Sequence, residues 1–206
     1  MLLGVVGVSG CMSEVTIEER MKAYMEEKYG DSFEVAGPVE SSLGSGRIYR
    51  IMTSDQYPDQ EVLVCFQKDE ARGIFLDNYV ALKYQTQAAK RFEEVCTQVW
   101  PETKIHTEQV PGRTVLPEAF GPETTLEEYT SWPGNDDYYN VFVRQRKGLS
   151  EAESDSQLLR QALESAKMAV RIYLYYGEDQ DQYQWMACLE MDDKFQYCRE
   201  EWKEGS

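Results

Sequence analysis

The chain has 206 residues, enough to bury a real core in one domain, and its 42% apolar content is ordinary for a folded protein. Lys and Arg number 21 against 37 Asp and Glu, a formal net charge of −16. With 10 basic and 16 acidic residues in the first hundred positions and 11 and 21 in the rest, the acidity is spread along the chain. Such a field repels phosphate backbones and excludes nucleic acid as an expected partner.

The opening Leu2–Val8 run is apolar but far too short to span a bilayer. It ends in Val8-Ser9-Gly10-Cys11, an aliphatic residue, two small residues and a cysteine. This resembles a bacterial lipobox, in which small residues admit the signal peptidase and the thiol becomes a thioether to diacylglycerol. No Lys or Arg precedes the run, as one would in a complete signal. Residues 1–11 are therefore expected to be a truncated lipoprotein signal segment, with Cys11 the lipidation site and 12–206 one α+β domain. Two acyl chains would anchor it stably to the membrane.

Thr16-Ile17-Glu18-Glu19 is a capping box, and Ile17, Met21, Met25 and Tyr29 then recur on one helical face before a stop at Gly30. Three strand candidates follow: Phe33–Val35, "GRIYRIMT" and "EVLVCFQ". A long helix is predicted over Asn78–Trp100, ended by Pro101, with Val80, Tyr84, Ala88, Phe92, Val95 and Val99 as its stripe. Residues 101–137 hold a possible strand "KIHTEQV", a Pro- and Gly-rich stretch and a short helix "LEEYTSW". They could join two halves, 12–110 and 138–206.

"YYNVFVRQR" reads as a strand whose edge could accept a peptide by strand addition. Ser150-Glu151-Ala152-Glu153 reads as a second capping box opening a helix, with Leu159, Ala162, Leu163 and Ala166 inward. "KMAVRIYLYYG", "YQWMACLEM" and "FQYCREEW" complete an antiparallel sheet with helices packed on one side. In the last two, apolar residues at odd positions demand that odd oppose odd. The tightest such hairpin sets Met191 against Phe195 and Cys188 against Cys198, within reach of a disulfide.

Chemistry is sparse. His106 is the single histidine, and no nucleophile elbow or Cys-x-x-Cys pair occurs, so no catalytic, cofactor or metal residue is predicted. Acidic clusters at Asn135–Asp137, Glu178–Asp181 and Asp192–Asp193 fall in expected turns, which favour Asp and Asn for backbone reasons. Fourteen tyrosines leave open an exposed aromatic patch or a packing role.

In its lipobox and general layout the chain is similar to uncharacterised small lipoproteins of Gram-positive bacteria. The resemblance implies a lipid-anchored binding or envelope-associated module on the outer face of the cytoplasmic membrane, with a protein or peptide partner. Two alternatives stay open: a cytoplasmic acidic accessory or immunity-type protein with a basic partner, and a carboxylate-based hydrolase.

Overall fold

The computed structural model describes residues 16–37, 46–68, 73–101, 105–110, 114–144, 149–177, 183–191, 197–199 and 202–204. For 149, 177, 183–191, 197–199 and 202–204 it describes the backbone alone. Residues 1–11, with Cys11, lie outside the described residues.

Helix α1 (Ile17–Tyr29) starts as the capping box predicts: the Thr16 hydroxyl accepts from Glu19 N, and the Glu19 carboxylate accepts from Thr16 N. It ends at Gly30, whose φ of 66° is the left-handed conformation that glycine adopts without penalty. The strands β1 (Phe33–Val35), β2 (Arg47–Ser54), β3 (Val62–Lys68) and β4 (Gly73–Asp77) form an antiparallel sheet in that order. Alternation turns Phe33, Met52, Val62 and Val64 toward Met21 and Met25 of α1, and all six are fully buried.

Helix α2 (Tyr79–Val99) is the long helix the sequence predicts, and its stripe is buried through Val95 with Cys96 beside it. It passes through three apolar clusters in turn. Tyr79 joins the α1 cluster; Val80, Tyr84 and Ala88 pack with Leu116 and Tyr129; Phe92, Val95, Cys96 and Trp100 enter the largest. Tyr129 comes from α3 (Leu126–Ser131), itself opened by a capping box between Thr125 and Glu128.

The second sheet contains β5 (Ile105–Val110), β6 (Tyr138–Val143), β7 (Arg171–Gly177), β8 (Tyr183–Met191) and β10 (Trp202–Glu204), in the order β10-β8-β7-β6-β5. The short β9 (Tyr197–Arg199) also pairs with β8. β6 and β7 are parallel, joined by helix α4 (Leu149–Ser165), while the other pairings are antiparallel. Leu159 and Leu163 of α4 meet Phe92 and Val95 of α2 over Tyr139, Val141, Ile172 and Leu174. The whole is an α+β fold.

Several expectations need adjustment. β4 was not foreseen. β5 pairs with β6, so a strand from before residue 110 completes the second sheet. β6 lies between β5 and β7 and has no open edge for strand addition. α4 begins at Leu149, so Ser150 lies within its first turn rather than ahead of it.

The terminal register differs too. Met191 opposes Tyr197 and Glu190 opposes Arg199, leaving Cys198 as the extra residue of a bulge. Cys188 lies opposite Tyr173 on its other side. The hairpin register that would set Cys188 across from Cys198 is therefore not the one formed. Parity explains the bulge. Tyr197 and Trp202 differ in parity, and one extra residue lets both oppose odd-numbered positions of β8, Met191 and Ala187.

Candidate functional site

A dense polar assembly is built around Asp77, the last residue of β4, and sequence patterns do not single it out. Its carboxylate lies just before α2, where the helix N-terminus presents unpaired backbone donors. Oδ1 accepts from Tyr79 N at 3.0 Å and from the Tyr29 hydroxyl at 2.7 Å; Oδ2 accepts from Lys28 Nζ at 2.8 Å and the Tyr24 hydroxyl at 3.1 Å. The carboxylate side chain is 2% exposed and Lys28 16%. Tyr24, Lys28 and Tyr29 occupy adjacent turns of α1, and Lys28 Nζ sits 5.2 and 5.1 Å from the two tyrosine ring centroids. Lys28 Nζ also donates to the Tyr24 hydroxyl at 2.8 Å.

Tyr79 links this clasp to a second. Its hydroxyl donates to Asp31 Oδ2 at 2.6 Å and lies 3.0 Å from Gln56 Oε1; the Ser54 hydroxyl also donates to Asp31 Oδ2. Burial pushes the Asp31 carboxyl upward, but hydrogen bonds from Ser54, Tyr79 and nearby backbone N–H groups outweigh it and hold the carboxyl below its ordinary value.

Two more buried carboxylates repeat the pattern. Asp137 Oδ2 accepts from the Tyr129 hydroxyl at 2.8 Å and from Gln109 Nε2 at 3.2 Å. Asp155 Oδ2 accepts from Trp100 Nε1 and the Tyr176 hydroxyl, both at 2.8 Å. Much of the tyrosine content thus has a structural purpose: an apolar body that fills the core and a hydroxyl that satisfies a buried carboxylate.

Burial first, then the neighbouring carboxylate, raises the phenols of Tyr24, Tyr29 and Tyr129 well above their ordinary range, so they keep their protons into alkaline pH. Lys28 has Asp77 and Tyr24 as acceptors in a mostly buried setting.

The residues weighed from sequence are dispersed. His106, on β5, is exposed; its Nε2 lies 3.1 Å from Glu108 Oε1 and its ring stacks on Phe142. In the Asn135–Asp137 cluster, Asn135 Oδ1 accepts from Asp137 N and Asp136 accepts from Thr114, an arrangement that shapes a turn. The clusters at 178–181 and 192–193 lie outside the described residues. Cys65 and Cys96 are free and buried, and burial raises both thiols, which disfavours the reactive thiolate. Among the described residues, no group of three or more His, Cys, Asp or Glu is placed to hold a metal, and no helix is long and apolar enough to cross a membrane.

No protein-family model matches the chain, and no curated protein matches it. Among solved structures it is similar to the crystal structure of a DUF5037 family protein from Ruminococcus gnavus ATCC 29149 at 2.55 Å resolution. The identity is 16% and the TM-score 0.34, over 81% of this chain and 77% of that one, a likeness that carries no argument about fold or activity.

Proposed function

We propose that this chain is a lipid-anchored extracytoplasmic protein that acts by binding rather than by catalysis. The observation that carries the proposal is Val8-Ser9-Gly10-Cys11, with its apolar run before and polar sequence after. The Thr16 cap of α1 supports it, because the helix begins directly after Met12 to Val15, the four residues that follow Cys11. At roughly 3.3–3.6 Å per extended residue, that linker holds the body within about 15–20 Å of the lipid surface.

A protein or peptide partner fits this reading better than a small substrate. The buried carboxylates that could serve as acids or bases each accept hydrogen bonds from tyrosine, tryptophan or lysine donors. Among the described strands, β5 ends the second sheet, and its His106 and Glu108 are exposed. An extended partner could add there through main-chain hydrogen bonds.

The test is fractionation of a Gram-positive host expressing the gene with its upstream region, wild type beside Cys11→Ser. Wild-type protein is expected in the membrane fraction, released by detergent but not by salt, and the variant is expected to lose that association. Wild-type protein found free in the cytoplasm would overturn the proposal.

A further inference from the structure

The four-stranded sheet has an apolar face on each side. Helix α1 packs on its inner face. Its outer face is built from the alternate residues: Glu34 on β1; Arg47, Tyr49, Ile51 and Thr53 on β2; Leu63, Cys65 and Gln67 on β3; Ile74 and Leu76 on β4. Register makes this one continuous patch, with Tyr49, Cys65 and Leu76 in one row across three strands, and Ile51 beside Leu63 in the next. Met52, Val62 and Val64 at the centre of the inner face are 0% exposed, whereas Tyr49, Ile51, Leu63, Ile74 and Leu76 on the outer face keep part of their surface open around a buried Cys65. None of these five belongs to an apolar cluster under a helix.

An antiparallel sheet that faces water normally alternates apolar with polar residues. This one does not. We infer that the outer face of the four-stranded sheet is a self-association surface, on which a second copy of the chain stacks its own identical face.

Shape and charge favour a second copy. An apolar sheet face finds a natural complement in another sheet packed about 10 Å away. Among the described residues of its strands the face carries one Arg and one Glu, so these sum to zero on a molecule of net charge −16, and two copies can meet there without opposing like charges. The two charges sit at opposite ends. Arg47 begins β2, whereas Glu34 lies against Thr53 near its other end. A two-fold axis in the plane between the sheets and perpendicular to the strands reverses strand direction. It therefore brings Arg47 of one copy toward Glu34 of the other, twice over, as an isologous contact requires.

The patch is small. Four strands about 4.8 Å apart and about five residues long give a face of roughly 300 Å², which belongs to the small, transient class of interface. A reversible dimer with a dissociation constant on the order of 100 µM is expected.

Sedimentation of the full chain across about 10 µM to 1 mM tests this. The weight-average mass should climb toward twice the monomer. Leu63→Glu, which sets carboxylates across the axis, should weaken association at least about tenfold. Arg47→Glu should weaken it several-fold, and adding Glu34→Arg in the same chain should restore it. That reversal keeps the test valid should Leu63→Glu disturb the sheet. A monomer at every concentration would overturn the inference. So would a dimer unmoved by Leu63→Glu, or an Arg47→Glu defect that Glu34→Arg fails to rescue.

Discussion

Asp77 accepts four hydrogen bonds, so removing its carboxylate strands Lys28, two phenols and a backbone donor in a largely dry setting. Breaking a buried pair by deleting one partner costs about 3–5 kcal/mol. Asp77→Ala should therefore lose about that much in urea unfolding. Lys28→Met should lose less, because Asp77 keeps three donors. A double-mutant cycle should show the two effects strongly non-additive. Lys167 offers a second test at this scale. It closes α4 with φ of 52°, and Met168 N bonds back to Leu163 O in the manner of a left-handed helix cap. Both Lys167→Ala and Lys167→Gly lose the exposed contact with Glu127, so their difference isolates the backbone. Thermal unfolding should find the glycine variant more stable than the alanine one by about 1 kcal/mol.

Helix α2 organises the molecule at the next scale, because its successive turns serve three apolar clusters. Phe92 is fully buried and stacks on Tyr139 of β6 at 4.1 Å between ring centroids. Phe92→Ala should cost about 3–5 kcal/mol in denaturant unfolding. Because one helix spans both sheets, circular dichroism and tryptophan fluorescence should still report a single transition.

The elements differ in how plainly they can be read from sequence. α1 carries its own cap, apolar face and glycine stop, all local signals that the structure keeps. β4 lacks any such signal. Ile74, Phe75 and Leu76 form an unbroken apolar run because both faces of that strand are apolar, and period alone cannot tell such a run from the start of the adjoining helix. Ser150 looks like a cap yet lies inside α4, the one- or two-residue ambiguity common at helix ends. The clasp at Asp77 was invisible for a different reason. Its side-chain donors stand 48 to 53 residues away, and no pattern along one segment encodes that meeting. The Cys188 and Cys198 expectation assumed the tightest regular hairpin, whereas the parity of Tyr197 and Trp202 is met by a bulge at Cys198.

Across the whole molecule, buried tyrosines tie stability to alkaline pH. Burial, then in most cases a neighbouring carboxylate, raises the phenols of Tyr24, Tyr29, Tyr79, Tyr129 and Tyr139 above their ordinary 10.0. The unfolded chain releases those protons near 10.0 while the folded chain retains them, so the stabilisation is complete below that pH and is lost as pH rises above it. Phenolate absorbance followed in a pH titration should show these groups ionising together with loss of the fold, in one cooperative step. Gradual ionisation with the fold intact would show that the hydroxyls are not locked as described.

The place of action proposed for this chain rests on the thiol at position 11. The most direct test is the intact mass of the mature protein recovered from a Gram-positive host. The account predicts a chain beginning at Cys11 and heavier than its amino acids by a diacylglycerol. A chain that keeps Met1 and carries no lipid would contradict it.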